Sequence, residues 1–122
     1  VLGHTALADY QPVNFAGKLI GVFRVSYRGI TPKERADRVI TQFTEALSNP
    51  EHKSSEIKTR KLKDGSYEVF IRKITFLTVT AEDAKAAMST PAKLASAWQK
   101  NLAWAFDESK PIKDIPKNKS RT

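Results

Sequence analysis

Cysteine is absent from the 122-residue sequence, which removes disulfides, zinc thiolate sites and thiol catalysis together. The compartment stays open, because cysteine-free domains occur in reducing and oxidising spaces alike. Histidine is nearly absent: His4 lies in an N-terminal stretch and His52 between Glu51 and Lys53. A lone histidine lacks the clustering that a metal site needs, so His52 reads as a solvated loop residue. The five glycines are dispersed in turns and at strand edges, with no G-x-G-x-x-G and no phosphate loop. No apolar run approaches the length that crosses a bilayer, so no transmembrane segment is expected. Acidic residues are in deficit, 13 against 21 Lys and Arg. The formal charge of +8 favours an anionic neighbour, whether nucleic acid, a lipid surface or an acidic protein.

A chain of 122 residues can bury a core without covalent staples and is long enough for one domain. It opens V-L-G-H-T-A-L-A-D-Y with no initiator methionine, and Ala6-Leu7-Ala8 before Asp9 fits the small-x-small pattern of signal-peptide cleavage. Residues 1–18 are therefore expected to be a tail, with two readings open: the remnant of a signal peptide, or an alanine-containing end with no such origin. Residues 19–106 should form a single α+β domain. Residues 107–122, with two prolines, five basic side chains and hardly any apolar ones, read as a flexible basic tail or linker.

Within the domain, Leu19 to Arg28 alternates, with Phe23, Val25 and Tyr27 on one face and Arg24, Ser26 and Arg28 on the other, as in a half-buried strand. Thr31-Pro32-Lys33-Glu34 is a capping box with proline at the first helical position. Ala36, Val39, Ile40, Phe43 and Leu47 follow at helical spacing, and the helix should close near Ser48-Asn49-Pro50. Glu56 to Leu62 and Tyr67 to Ile71 flank Lys63-Asp64-Gly65-Ser66, a hairpin signal. Ile74 to Thr80 continues either as a bulged extension or as a separate strand. Two helix starts ten residues apart then follow, Thr80 with Asp83 and Thr90 with Pro91. The second helix, Pro91 to Phe106, places Leu94, Trp98, Leu102 and Phe106 on one stripe and leaves Trp104 off it.

The order β-α-β-β-(β)-α predicts a small antiparallel or mixed sheet of three to four strands with two helices packed on one face. One core should unite Phe23, Val25, Val39, Phe43, Val69, Leu94, Trp98 and Leu102. The opposite sheet face would be open, with Arg24, Arg28, Lys58, Arg60 and Arg72 as its candidate occupants.

Helix capping explains Glu34 and Asp83, the turn explains Asp64, and exposed helix faces explain Glu45 and Glu82. No nucleophile or base has an orienting partner in the pattern, so neither catalysis nor a cofactor nor a metal is expected. The positive signal is a basic cluster: Lys53, Lys58, Arg60, Lys61 and Lys63 within eleven residues, extended by Arg72. These six are the candidate contact for an anionic partner. Nucleic acid is the less favoured one, because Tyr67 and Phe70 point to opposite faces and no aromatic RNA-recognition string is present. Charges on such a hairpin can also serve simply to block edge-to-edge aggregation.

Two stretches, Gly29-Ile30-Thr31-Pro32-Lys33-Glu34-Arg35-Ala36 and Leu77-Thr78-Val79-Thr80-Ala81-Glu82-Asp83-Ala84, followed by Leu94-Ala95-Ser96-Ala97-Trp98, carry a resemblance. They look like the N-terminal extracytoplasmic domain that precedes the membrane helices in a subset of bacterial, notably cyanobacterial, MscS-like mechanosensitive channel proteins. The resemblance spans Leu19 to Phe106 and rests on caps and core positions. It implies a non-enzymatic accessory or sensory domain outside the cytoplasm, in periplasm or secreted, here stand-alone or excised. The alternatives are a basic module inside the cell that binds nucleic acid or an anionic surface, and a small-ligand-binding domain with a cleft between helices and sheet.

Overall fold

The computed structural model describes residues 10–110. Its first element is a hairpin that the sequence disguises. Gln11–Phe15 (β1) and Lys18–Phe23 (β2) pair antiparallel, joined by Ala16 and Gly17 at φ 51° and 76°, the left-handed backbone that a two-residue hairpin turn demands. Two expectations are corrected here. Residues 11–18 belong to the fold and not to a tail, and the strand expected over Leu19 to Arg28 ends at Phe23. Pro12 argues against a strand interior, but a two-stranded sheet consists of edges, where a missing N–H is tolerated. After Phe23 the chain bends, and Tyr27 and Ile30 exchange backbone hydrogen bonds of 2.9 Å around Arg28 and Gly29, both at positive φ. Arg24 and Arg28 therefore lie off the sheet, each beside a tyrosine ring, Tyr10 and Tyr27 respectively.

Pro32–Leu47 (α1) starts at the expected capping box, with Thr31 Oγ1 accepting from the Glu34 N–H at 3.1 Å and Glu34 accepting from the Thr31 N–H at 2.9 Å. It buries Ala36, Val39, Phe43 and Ala46, whereas Ile40 stays exposed. A short 3-10 turn, Ser54–Glu56, leads into a three-stranded antiparallel sheet of order β3-β4-β5: Ile57–Lys61, Tyr67–Ile71 and Ile74–Val79. The last strand is separate and carries a bulge, since Val69 pairs with Leu77 and Phe70 with Thr75, leaving Phe76 as the extra residue. Ala81–Ala86 (α2) and Pro91–Ser109 (α3) follow, N-capped by Thr80 and Thr90. The fold is thus α+β, with two antiparallel sheets in place of one and a short third helix.

Helix α1 packs on β5 and the hairpin, and α3 packs on β2, β3 and β4. Between them lies one core, of which Phe23, Val39, Phe43, Val69, Trp98 and Leu102 are fully enclosed, as their periodicity required. Leu94 packs against it from the rim, and Val25, beyond the end of β2, is half-buried outside it. Phe43 is central: its ring lies 4.2 Å from Phe15, 5.9 Å from Phe106 and 6.1 Å from Phe76, centroid to centroid. Trp98 sits 5.0 Å from Phe23 and lies against Gly21, where an added Cβ would come within 2.5 Å of the indole. Off the buried stripe, Trp104 is roofed by the Lys18 ammonium at 4.6 Å from its ring.

Asp107 to Lys110, expected to open a tail, belong to the fold. Asp107, Glu108 and Ser109 continue α3, and the Lys110 Nζ donates to the carbonyls of Asn49 (3.2 Å), Pro50 (3.3 Å) and His52 (2.7 Å). Three carbonyls around one ammonium clamp the end of α3 to the loop after α1, which composition alone does not foresee. The signal-peptide pattern at residues 6–8 and the remainder of the expected basic tail, 111–122, lie outside the described residues.

Two substitutions test this packing. Trp98→Ala should cost about 3–5 kcal/mol in denaturant unfolding, the toll of deleting a buried aromatic side chain. Gly21→Ala should cost about 1–3 kcal/mol, because the ring beneath it is wedged in the core and cannot yield freely. An unchanged midpoint for either would refute the hairpin-on-α3 contact.

Candidate functional site

The six basic candidates do not share one environment. Lys58 and Arg60 alternate with Ile57 and Thr59 on β3, opposite Phe70 and Glu68 of β4, and so stand on the sheet face turned away from the helices. Lys61 ends the strand, Lys63 opens the turn, Lys53 precedes the 3-10 turn and Arg72 lies between β4 and β5 at φ 49°. Two of the six are neutralised. Arg60 donates from Nε to Glu68 Oε1 at 3.0 Å and from Nη2 to the same oxygen, while its guanidinium lies 4.2 Å from the Phe70 ring centroid. Arg72 reaches Glu56 through Nε at 3.1 Å and Nη2 at 3.0 Å. Lys53, Lys58, Lys61 and Lys63 are exposed and make no ion pair among the described residues.

The carboxylates in these pairs are tuned accordingly. Hydrogen bonding to the Lys53 backbone N–H, then to Arg72, holds the Glu56 carboxyl below its ordinary value. For Glu68 the largest single influence is partial burial, which raises the value. Hydrogen bonds from Thr75 and Arg60, with the charge of Arg60, outweigh it and leave the carboxyl lowered. In the turn, Asp64 is lowered by the Ser66 hydroxyl and backbone N–H, an Asx-type closure.

A second constellation lies on the other side of the sheet and escapes the sequence pattern. Arg35, in the first turn of α1, is buried and bidentate to Asp83 of α2: Nη1 to Oδ1 at 2.7 Å and Nη2 to Oδ2 at 2.8 Å. The same guanidinium donates to the carbonyls of Val25 (3.0 Å) and Thr78 (2.8 Å) and lies 4.4 Å from the Phe23 ring centroid. Asp83 also accepts from the Thr80 N–H at 2.9 Å and hydroxyl at 3.0 Å, so it caps α2 and pairs with Arg35 at once. Beside this pair opens a cleft of about 520 Å³ between α1, the 27–30 turn and the outer edge of β5.

His52 also departs from expectation. It is buried, with its Nδ1 2.8 Å from the Ala46 carbonyl and Nε2 3.4 Å from Asn49 Nδ2, so it closes the C-terminal end of α1. No group of three or more potential metal ligands occurs among the described residues, and no helix there is long and apolar enough to cross a membrane.

The model of one protein family, described as a domain of unknown function (DUF8459), matches residues 12–109. The chain belongs to this family. The match starts in β1 and stops at the last residue of α3, so the family unit includes the hairpin and the whole of the final helix. No curated protein and no solved structure matches the chain.

Two outcomes follow from the pairs. Asp83→Asn leaves the Arg35 charge buried without its anion and should cost about 3–5 kcal/mol in chemical denaturation. Glu68 contributes stability above its ordinary value of 4.5 and loses it as pH falls through its lower folded value. The stability gap between wild type and Glu68→Gln should therefore be open at neutral pH and close on acidification below 4.5. A gap that widens in acid would contradict the pairing with Arg60 and Thr75.

Proposed function

We propose that this domain is a non-enzymatic interaction module whose β3–β4 hairpin meets an anionic surface, with a layer of lipid headgroups as the partner. The carrying observation is that Lys53, Lys58, Lys61 and Lys63 are exposed and lack carboxylate partners among the described residues, on a chain of formal charge +8. Ammonium groups on flexible stems suit a diffuse field of headgroups better than one shaped anion. An extracytoplasmic accessory or sensory role, as the likeness to channel-associated domains implies, belongs to the same reading.

Nucleic acid is the alternative partner. Base stacking calls for an open aromatic face, and the Phe70 ring on the outer sheet face lies beneath the Arg60 guanidinium, which Glu68 holds in place. The charge argument applies to either partner, whereas the covered ring argues against the second.

Each lysine near an anionic membrane contributes about 1 kcal/mol, so changing all four to glutamine should weaken binding to phosphatidylglycerol vesicles by up to about a thousandfold. The paired change Arg60→Gln with Glu68→Gln removes no net charge and should leave vesicle binding nearly as it was. Binding must also fall as salt is added. Co-sedimentation with vesicles at low and physiological salt reads all three. Wild-type protein that ignores vesicles at low salt sinks the proposal, and capture of RNA in their place turns it toward the alternative.

A further inference from the structure

Apart from the hairpin, the cleft beside α1 has the composition of a small-molecule site. Its volume, about 520 Å³, falls inside the range of roughly 300–1,000 Å³ typical of ligand pockets. The floor is apolar and is made by the bulge in β5. The extra residue there allows two consecutive side chains, Phe76 and Leu77, to be buried at once, where a regular strand would send one of them to the opposite face. Phe23 and Tyr27 line the cleft beside them, the latter held by the tight turn through Arg28 and Gly29.

The charges of the lining are unequal in availability. Arg35 is spent: its two Nη atoms already serve both Asp83 oxygens and the carbonyls of Val25 and Thr78. The Asp37 carboxylate is engaged by the Lys33 ammonium at 3.1 Å, one turn back along α1. Arg38 is left, exposed on the same helix, lining the cleft and making no ion pair among the described residues. Its neighbour across one turn, Gln42, spends its Nε2 on a long contact, 3.4 Å, to the Thr75 carbonyl. The cleft thus offers an aromatic and aliphatic floor, one guanidinium fork at the rim and no uncompensated carboxylate.

We infer that this cleft binds a small organic monocarboxylate, with its carboxylate on the Arg38 guanidinium and its apolar body against the half-buried Tyr27 and Ile30 and the edge of Leu77. A fork of parallel N–H donors matches a carboxylate in a bidentate pair, and the floor beneath would take up a body of ring or chain type. The site stands apart from the basic hairpin, because Arg38 lies on α1 whereas the hairpin lysines lie on and around β3.

Titration of the isotopically labelled domain with 3-phenylpropionate and, separately, octanoate tests this by two-dimensional NMR. The two acids distinguish a ring-bearing from a chain-bearing ligand. Saturable shifts are expected at Arg38, Thr41, Gln42 and Phe76 to Thr78 for at least one of them. Arg38→Gln should weaken that binding by about ten- to a hundredfold, the worth of a charge-assisted hydrogen bond, with the rest of the spectrum unchanged. The corresponding neutral amide should lose as much against the wild-type protein. Lys100→Gln, an exposed position on α3 outside both the cleft and the hairpin, should bind as the wild type does. Absence of saturable binding by both acids, equal affinity for the amide, or indifference to Arg38→Gln would each overturn the inference. None of these results bears on the vesicle experiment.

Discussion

The Arg35–Asp83 pair is the constraint on which the arrangement of elements depends. One guanidinium reaches α1, the segment after β2, the end of β5 and the start of α2, through two carboxylate oxygens and two backbone carbonyls. Burying two ions costs several kcal/mol each, and the return comes only when geometry and remaining hydrogen bonds are complete. Here they are: the fork is bidentate, and the Thr80 N–H and hydroxyl take further valence of Asp83. Helix α2, with six residues, is too short to persist by propensity alone, so its place is set by its cap and by this ion pair. The pair also fixes one wall of the cleft, since Arg35 cannot leave Phe23 without abandoning four acceptors.

How legible this was in the sequence depended on the range of each signal. Local signals were readable: the Thr31–Glu34 box, the Thr80 and Thr90 caps, the Asp64-Gly65 turn, and the stripe of Trp98, Leu102 and Phe106 all concern residues within a turn or two of one another. The hairpin at Ala16-Gly17 was not readable, because its turn lacks Asn or Asp and Pro12 masks the alternation of Val13 and Phe15. The partner of Asp83 was invisible for a different reason. A capping role already accounted for that carboxylate, and 48 residues separate it from Arg35. The six-residue basic cluster was correctly seen as a run of charge, but which of its members are neutralised depends on cross-strand register, which pairs Arg60 with Glu68. His52 and Lys110 were misread alike, since a polar side chain in a polar segment gives no sign that it will satisfy buried or helix-terminal carbonyls.

The two free edges of the three-stranded sheet are managed by different means, and each candidate site coincides with one of them. On β3, lysines and an arginine discourage another strand from pairing, and the same charges supply the field of the hairpin. On β5, side chains of α1 occupy the outward carbonyls of Thr78 and Thr75, which blunts that edge from within the molecule. The cleft is the space left where this covering is incomplete.

The contact between Gly21 and Trp98 has a consequence for how β2 finds its place. Strand register is usually enforced by attraction, through matched apolar faces. Here a vacancy does the selecting: if β2 slid by one residue along β1 while keeping its seat on α3, Ile20 or Val22 would have to occupy the gap of under 3 Å that the indole leaves open. Every shifted alignment is thereby penalised by collision, and the native one is chosen by the single position that has no side chain to collide.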